Sequence, residues 1–237
     1  MSAFSESFQT AIALVLQADP VLLRTVALSL AVSATACIVA AGFGLAAGAW
    51  LAATAFPGRR VLVAALNTLL ALPSVVVGLL VYLLLSRSGP LGAWGILFTP
   101  SAMVIAQSVL VLPVIAALAR QLVSDGLRDG GDQLRSMGAR PFTAALLMLP
   151  HERWAVATIL LTAFGRAVSE VGAVMIVGGN IDGLTRVITT TIALETSKGD
   201  LPLALALGLV LLAIIGVING LIGAAQRLQG GALAGAR

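Results

Sequence analysis

The sequence predicts an all-α, polytopic membrane protein with five or six transmembrane helices, and three observations carry that prediction. Of 237 residues, 59% are hydrophobic and only 10% are charged, whereas a water-soluble domain is roughly a quarter charged. Mean hydropathy is +1.05. The apolar residues are also gathered into five stretches, each long enough to supply the ~20 residues that cross a bilayer as a helix. A soluble domain needs charge to face water, and this chain has too little of it.

The five stretches run from about Val21 to Ala55, Val61 to Leu85, Ala102 to Val123, Trp154 to Val177 and Leu201 to Ala225. The first is too long for one perpendicular helix and is expected to tilt or to extend past the bilayer. Its second half, Ala36 to Ala55, is rich in Ala and Gly and contains Gly44-x-x-x-Gly48. Small residues at that spacing let helices approach closely in lipid. Pro73 and Pro113 fall inside the second and third stretches. Each removes a helical hydrogen bond and favours a kink, and neighbouring helices can satisfy the freed carbonyls. Ser2 to Ala18 is shorter and weakly amphipathic, so it either lies in the interface or adds a sixth span. Met1 to Asp19 carries only Glu6 and Asp19 as charges, without the positive n-region of a cleavable signal peptide. The first spanning helix is therefore expected to direct insertion. Residues 1–237 read as one transmembrane domain.

Net charge is +4. No basic cluster with interleaved aromatics is present, so nucleic acid is not the implied partner. The positive residues instead set orientation. Arg59, Arg60, Arg120, Arg128, Arg135, Arg140, Arg153, Arg227 and Arg237 collect on one side, and Arg24, Arg87, Arg186 and Lys198 on the other. That asymmetry makes the loop from Ser124 to Arg153 cytoplasmic. The outer connections are then Ser86 to Ser101 and Gly178 to Asp200. Cys37 and His151 are each the only residue of their kind, so neither a disulfide nor a thiolate metal site is available.

The cytoplasmic loop is the most informative segment. Asp132 to Met137 is expected to form a short helix, with Asp132 favourable near its N-terminus. Gly138 can supply the left-handed residue that ends it, and Pro141 suits the first turn of the next helix. Leu134, Met137 and Phe142 give this polar loop an apolar knob. The residues alone are equally compatible with an ordinary helix hairpin and with a docking element.

Asp132-Gln133-Leu134, three further residues, Gly138 and then Leu149-Pro150 resemble the EAA loop of ABC importer permeases. In that family the pattern is Glu-Ala-Ala, three residues, Gly, and about a dozen residues to Leu-Pro. Here Asp-Gln-Leu replaces Glu-Ala-Ala and the spacing to Leu-Pro is one residue shorter. The run Leu85-Ser86-Arg87-Ser88-Gly89-Pro90-Leu91-Gly92 resembles the outer loop of molybdate- and tungstate-type permeases. The run from Phe164 through Arg166, Glu170 and Asn180 to Ile181 resembles the helix after the EAA loop in oxyanion permeases. Thr185 to Thr191 and Leu194 to Asp200 are most similar to the tungstate branch. The resemblance implies a type I ABC importer permease fold and import of tungstate, molybdate or a related oxyanion. It implies a homodimer in the bacterial or archaeal cytoplasmic (inner) membrane. Two ABC ATPase subunits holding ATP and Mg would dock at the loop, and an extracytoplasmic binding protein would deliver the substrate.

Arg166 and Glu170 lie about halfway along the fourth stretch, and i, i+4 spacing would place them on one face of a helix. A charge at the bilayer centre costs roughly 2.5–3.5 kcal/mol on insertion scales, and pairing lowers that cost. Such a pair either orients helix packing or forms a gate whose partners change during transport. In the outer segment, Asn180, Arg186, Thr189, Thr190 and Thr191 could donate hydrogen bonds to an oxyanion. The same segment reads more readily as a surface loop against the binding protein.

No Gly-x-x-x-x-Gly-Lys-[Ser/Thr] run is present, so ATP must be hydrolysed by another chain. No intramembrane Ser/His or paired-Asp site is identifiable, so the chain is read as a transporter subunit and not an enzyme. The rival reading is a stand-alone secondary carrier or channel for a small anion, which would need intramembrane ion sites and no docking loop.

Overall fold

A computed structural model describes residues 8–10, 12, 13, 16 and 20–234, with side chains described as far as residue 220 and at Gly223. Most of Ser2 to Ala18, the expected interfacial or sixth-span segment, lies outside the described residues. From Pro20 onward the elements are α1 (Pro20–Ala53), α2 (Arg59–Leu69), α3 (Ser74–Leu85), a short 3-10 turn (Gly92–Trp94), α4 (Pro100–Ser136), α5 (Pro141–His151), α6 (Arg153–Val168), α7 (Gly172–Gly178), α8 (Ile188–Lys198) and α9 (Leu201–Ala234). The chain divides into two compact units, Leu30–Thr185 and Met1–Ser29 with Arg186–Arg237.

In the Leu30–Thr185 unit, α4 is the central helix, and α2, α3, α5, α6 and α7 all pack against it. Met103, Ala106, Val111, Ile115, Ala119 and Val123 along its length are fully buried. The Leu30–Ala53 part of α1 joins the same core. Cys37 and Ala40 cluster with Val111 and Ile115 of α4 and with Ile159, Ala163 and Ala167 of α6. The expected close approach at Gly44 and Gly48 is present. A Cβ on Gly44 would stand 2.9 Å from Ile115 Cγ2. One on Gly48 would stand 2.6 Å from the Ala116 carbonyl oxygen and 2.8 Å from both Ala119 Cβ and Arg120 N. Glycine is needed at position 48 because backbone, which cannot rotate away, occupies the space.

In the other unit, α8 packs on α9. Ser29 Oγ accepts the Ile188 amide hydrogen at 2.9 Å, which fixes the first turn of α8 to the start of α1. Ala206 and Val210 form the apolar seam of α9, with Leu209 and Ile214 against them.

Among the described residues, three helices are long and apolar enough to cross a membrane: α1, α4 and Leu201–Gly220 of α9. The α2–α3 pair is bent by 100° and the α5–α6 pair by 80°, and counting each pair as one span gives five. The outward faces are those of a lipid-bathed protein. Leu79, Leu80 and Leu83 on α3 are each more than half exposed, and a soluble fold would leave so contiguous a leucine face uncovered at high cost.

Two expectations about the spans are corrected. The Val61–Leu85 stretch is not one kinked helix: α2 ends at Leu69, three tight turns follow, and Pro73 takes an extended conformation as N-cap of α3. A proline drives the residue before it out of the helical region, and Leu72 has no helical neighbour to hold it there. Pro113, by contrast, sits buried within an uninterrupted α4, where packing on several sides holds the helix together. The Trp154–Val177 stretch likewise divides, into α6 and α7 with a break at 169–171.

Gly48→Ala is expected to destabilise the detergent-solubilised protein by about 1–3 kcal/mol, the usual scale of overpacking, and Gly48→Leu to prevent a monodisperse fold. Gly42→Ala, where a Cβ meets nothing within 4 Å, is expected to be neutral or to stabilise by up to ~1 kcal/mol through helix propensity. Thermal melts of the three variants measure the difference, and equal behaviour at positions 42 and 48 would remove the α1–α4 contact.

Candidate functional site

The polar segment after the third span is not a loop bearing a separate short helix. α4 runs without interruption from Pro100 to Ser136, so Asp132 to Ser136 is its last turn. Three glycines in this stretch argue for a loop by propensity, each costing about 1 kcal/mol in a helix. Packing overrides them. Gly126 lies against Met148 of α5, with Sδ 3.0 Å from where a Cβ would be, and Gly131 is covered by Leu127. Ala49, Val123, Ala145 and Met148 form the apolar cluster that holds this extension to α1 and α5.

The end of α4 is built as expected at Gly138. Its φ of +85° is left-handed, the Gly138 amide donates to Arg135 O at 2.9 Å and the Ala139 amide donates to Leu134 O at 3.0 Å. This is the paired hydrogen bonding of a Schellman motif. A Cβ on Gly138 would meet no atom within 4 Å, so the backbone angle alone demands glycine. Arg140 is extended and Pro141 opens α5, as a pre-proline residue and an N1 proline should.

The three knob residues part company. Met137 is 69% and Phe142 41% exposed, so they project from the turn between α4 and α5. Leu134 packs inward against the Ala49–Val123–Ala145–Met148 cluster and anchors the turn. Asp132 and Gln133 are exposed, with Asp132 accepting a 3.4 Å contact from Arg135. Leu149 packs on the same cluster as Leu134. Leu149 and Pro150 lie in the last turn of α5, just before Glu152 leaves helical geometry and the chain bends into α6.

Arg166 and Glu170 do not share a helical face. α6 ends at Val168, so Arg166 is in its last turn and Glu170 is in the break. The i, i+4 argument requires a continuous helix, and the break removes it. Glu170 Oε1 accepts the Ala173 amide hydrogen at 3.1 Å, and so closes the start of α7. Arg166 Nε is buried without a hydrogen-bond partner. The residue that stitches the break is one that no sequence motif singles out. Gln107, 4% exposed in mid-α4, donates from Nε2 to Ala167 O at 2.8 Å.

The outer residues fall in different units, Asn180 in one and Arg186, Thr189, Thr190 and Thr191 in the other. Asn180 has a left-handed φ of +50° and a buried Oδ1 with no partner. Thr185, which opens the Thr185–Thr191 run but is not among the expected oxyanion donors, is fully buried; its hydroxyl donates to Gly178 O at 2.6 Å and accepts from the Ile181 amide at 2.9 Å. The segment expected as an open polar connection contains α8. Thr190 Oγ1 accepts from the Val187 amide at 3.0 Å, and Thr191 Oγ1 donates to Val187 O at 2.8 Å. Threonines can cap their own helix in this way, so these two hydroxyls serve α8 in this conformation.

The chain is a multi-span helical protein with a Schellman-closed turn at Gly138, and comparison with known proteins places it in the class of ABC transporter permeases. No family model matches the chain. It is 41% identical over 226 residues to the "Tungstate uptake system permease protein TupB" of Peptoclostridium acidaminophilum, covering 94% of this chain and 97% of that one. It is 41% identical over 205 residues to a "Probable anion ABC transporter permease protein" of Haloferax volcanii, covering 84% and 88%. It is 40% identical over 164 residues to the TupB permease of Campylobacter jejuni, covering 69% of each. The chain belongs to the ABC transporter permease family that includes these tungstate and anion permeases. It is a multi-pass protein of the cytoplasmic (inner) membrane and a transport subunit, not itself an enzyme.

Gln107→Leu, near in volume but unable to donate, removes one of two hydrogen bonds to the Ala167 carbonyl, which also accepts the Glu170 amide hydrogen at 3.1 Å, and is expected to cost about 0.5–1.5 kcal/mol. A fall in melting temperature with an unchanged elution profile would confirm it. No change would mean that the break closes without Gln107.

Proposed function

We propose that this chain is the membrane subunit of an ATP-driven importer of tungstate or a related tetrahedral oxyanion. It works as a homodimer with two ATPase subunits and an extracytoplasmic binding protein. ATP and Mg are bound by the ATPase, in keeping with the lack of a phosphate-binding Gly/Lys loop in this chain. Similarity to TupB along nearly the whole of both chains supports the substrate class.

The observation that carries the coupling role is the tip between α4 and α5. Met137 and Phe142 expose apolar surface in an otherwise polar turn, and the Schellman bonds at Gly138 hold them in place. A few central apolar anchors usually dominate an interface. Below the tip, α4 continues as one helix into the middle of the Leu30–Thr185 core. A push on Met137 and Phe142 is therefore delivered to the helix on which the rest of that unit packs, and the type of change is a rigid-body shift of packed elements. Arg166, with its unpartnered Nε, and Glu170 sit at the interruption of α6, where two helix segments can change their relative angle. We assign them to the gate and not to a fixed binding site. Of the outer residues, we place Asn180, with its buried and unpartnered Oδ1, along the substrate path.

Gly138→Val and Met137→Asp should leave the chain inserted and monodisperse while ATPase association and uptake fall together, by tenfold or more on the scale of a lost interface anchor. Co-purification of the tagged chain with the ATPase, alongside vesicle uptake, measures this. Full binding and uptake in both variants would make the turn a simple connector. Orientation has its own test. A cysteine at Asp129 in a Cys37→Ala background should resist a membrane-impermeant thiol reagent in intact cells and react after lysis. Labelling in intact cells would invert the topology.

A further inference from the structure

We propose that the end of α4 carries an oxyanion-binding pocket, separate from the apolar tip, that takes the phosphate of an anionic phospholipid headgroup or a free tetrahedral oxyanion. A cavity of about 210 Å³ opens between the end of α1, the last turns of α4 and the first turn of α5. Ala53 walls it from α1, Ser124, Arg128 and Arg135 line it from α4, and Pro141 and Ala144 line it from α5. Arg128 and Arg135 are seven residues apart in one continuous helix, which sets them two turns apart on the same face.

Positive potential reaches this cavity from a second, independent source. α5 is 11 residues long, has no side-chain cap and has no acidic residue in its first turn. Pro141 has no amide hydrogen, so the Phe142 and Thr143 amides carry the positive end of the helix dipole. An uncapped helix start beside two guanidinium groups and a hydroxyl gathers donors suited to an anion. No carboxylate lines the cavity. Arg128 contacts Asp125 at 3.5 Å and Arg135 contacts Asp132 at 3.4 Å, but these are exposed i, i+3 pairs. Pairs of that kind hold little energy, so either guanidinium can turn to a bidentate anion.

The position favours a headgroup as one source. The apolar run of α1 ends at Ala53, with Trp50 stacked on Phe56 at 5.1 Å and Arg59 Nε donating to Leu51 O at 2.9 Å. Aromatic and basic residues at a span's end mark the headgroup level, where basic pockets between helices bind anionic lipid. The same donors would take free phosphate or tungstate, so the two sources are separated by experiment. The inference does not rest on what docks at Met137 and Phe142.

The test uses the purified full-length chain. Native mass spectrometry after reconstitution with phosphatidylglycerol or phosphatidylcholine reads the lipid source. Equilibrium binding of sodium tungstate and inorganic phosphate reads the free-anion source. Saturable binding of phosphatidylglycerol over phosphatidylcholine, or of either free anion, is expected. The Arg128→Ala/Arg135→Ala double variant should weaken it by roughly tenfold or more, and Arg128→Lys/Arg135→Lys, which keeps charge but loses the planar fork, by less. Arg60→Ala removes one exposed arginine outside the cavity and should change binding by less than about twofold, as expected of diffuse surface charge. Absence of saturable binding by every probe overturns the proposal. So does an Arg60→Ala loss equal to that of the double alanine variant, or full binding by the double alanine variant.

Discussion

A helix interrupted inside an apolar region strands amides and carbonyls that no water can satisfy, and hydrocarbon makes each of them cost several kcal/mol. This constraint decides where the chain can bend and which polar side chains it must keep. At the break after Val168, Gln107 takes the Ala167 carbonyl and Glu170 takes the Ala173 amide. At the turn after Gly178, the Thr185 hydroxyl bonds both Gly178 O and Ile181 N. At the start of α8, Thr190 and Ser29 take the amides of Val187 and Ile188. Among the described residues, several buried polar side chains thus serve the interruptions, while Ser108 instead joins α4 to the Ala36 carbonyl of α1.

The same constraint explains what can be read from the sequence. Apolar length locates α1, α4 and α9, since nothing within those runs competes with helix. Gly138 and Pro141 are legible because each residue type fits one backbone geometry and little else. The Gly44–Gly48 spacing is legible as a close approach, although not its partner, Ile115 to Arg120 of α4. The breaks at 70–73 and 169–171 are hidden, because hydropathy averages across a bend and a proline such as Pro113 can equally sit inside a helix. Ser124 to Ser136 reads as a loop because its glycines are poor helix formers. Their segment is held by contacts with α5, such as Gly126 against Met148, and tertiary contacts leave no local signature. Gln107 escapes notice, and the bonding role of Thr185 stays hidden, for a related reason: their partners are backbone groups, which every residue has. Hydrophobicity groups Leu134 with Met137 and Phe142, and only the turn of the helix sends it inward.

These features bear on how motion could pass through the Leu30–Thr185 unit. A helix of 37 residues is about 55 Å long at 1.5 Å per residue, which exceeds the hydrocarbon thickness of ~30 Å by a wide margin. α4 therefore projects well beyond the apolar region as a continuation of the same rod. A separate short helix on a flexible loop would dissipate displacement in the loop. A continuous helix clamped by Leu134, Val123 and Met148 cannot, so movement of its tip must appear among the helices packed along its buried length.

The place where such movement can be absorbed follows from the distribution of backbone bonds. α1 and α4 are locked by backbone approach at Gly48 and cannot slide without collision. α6 and α7 are joined by only three residues, 169–171, where the backbone bonds from Ser169 to Gly165 and from Glu170 to Ala167 are supplemented by side-chain hydrogen bonds from Gln107 and Glu170. Side-chain bonds can exchange partners during a rotation, whereas a helical backbone bond in lipid cannot open without leaving its groups bare. On the proposed coupling role, the interruption beside Arg166 is one place in the unit, with the break at 70–73, where helix segments can change angle, and α4 is its longest continuous member. A transport subunit that converts a push at one end into a change of access in the middle requires both a continuous member and a place to bend.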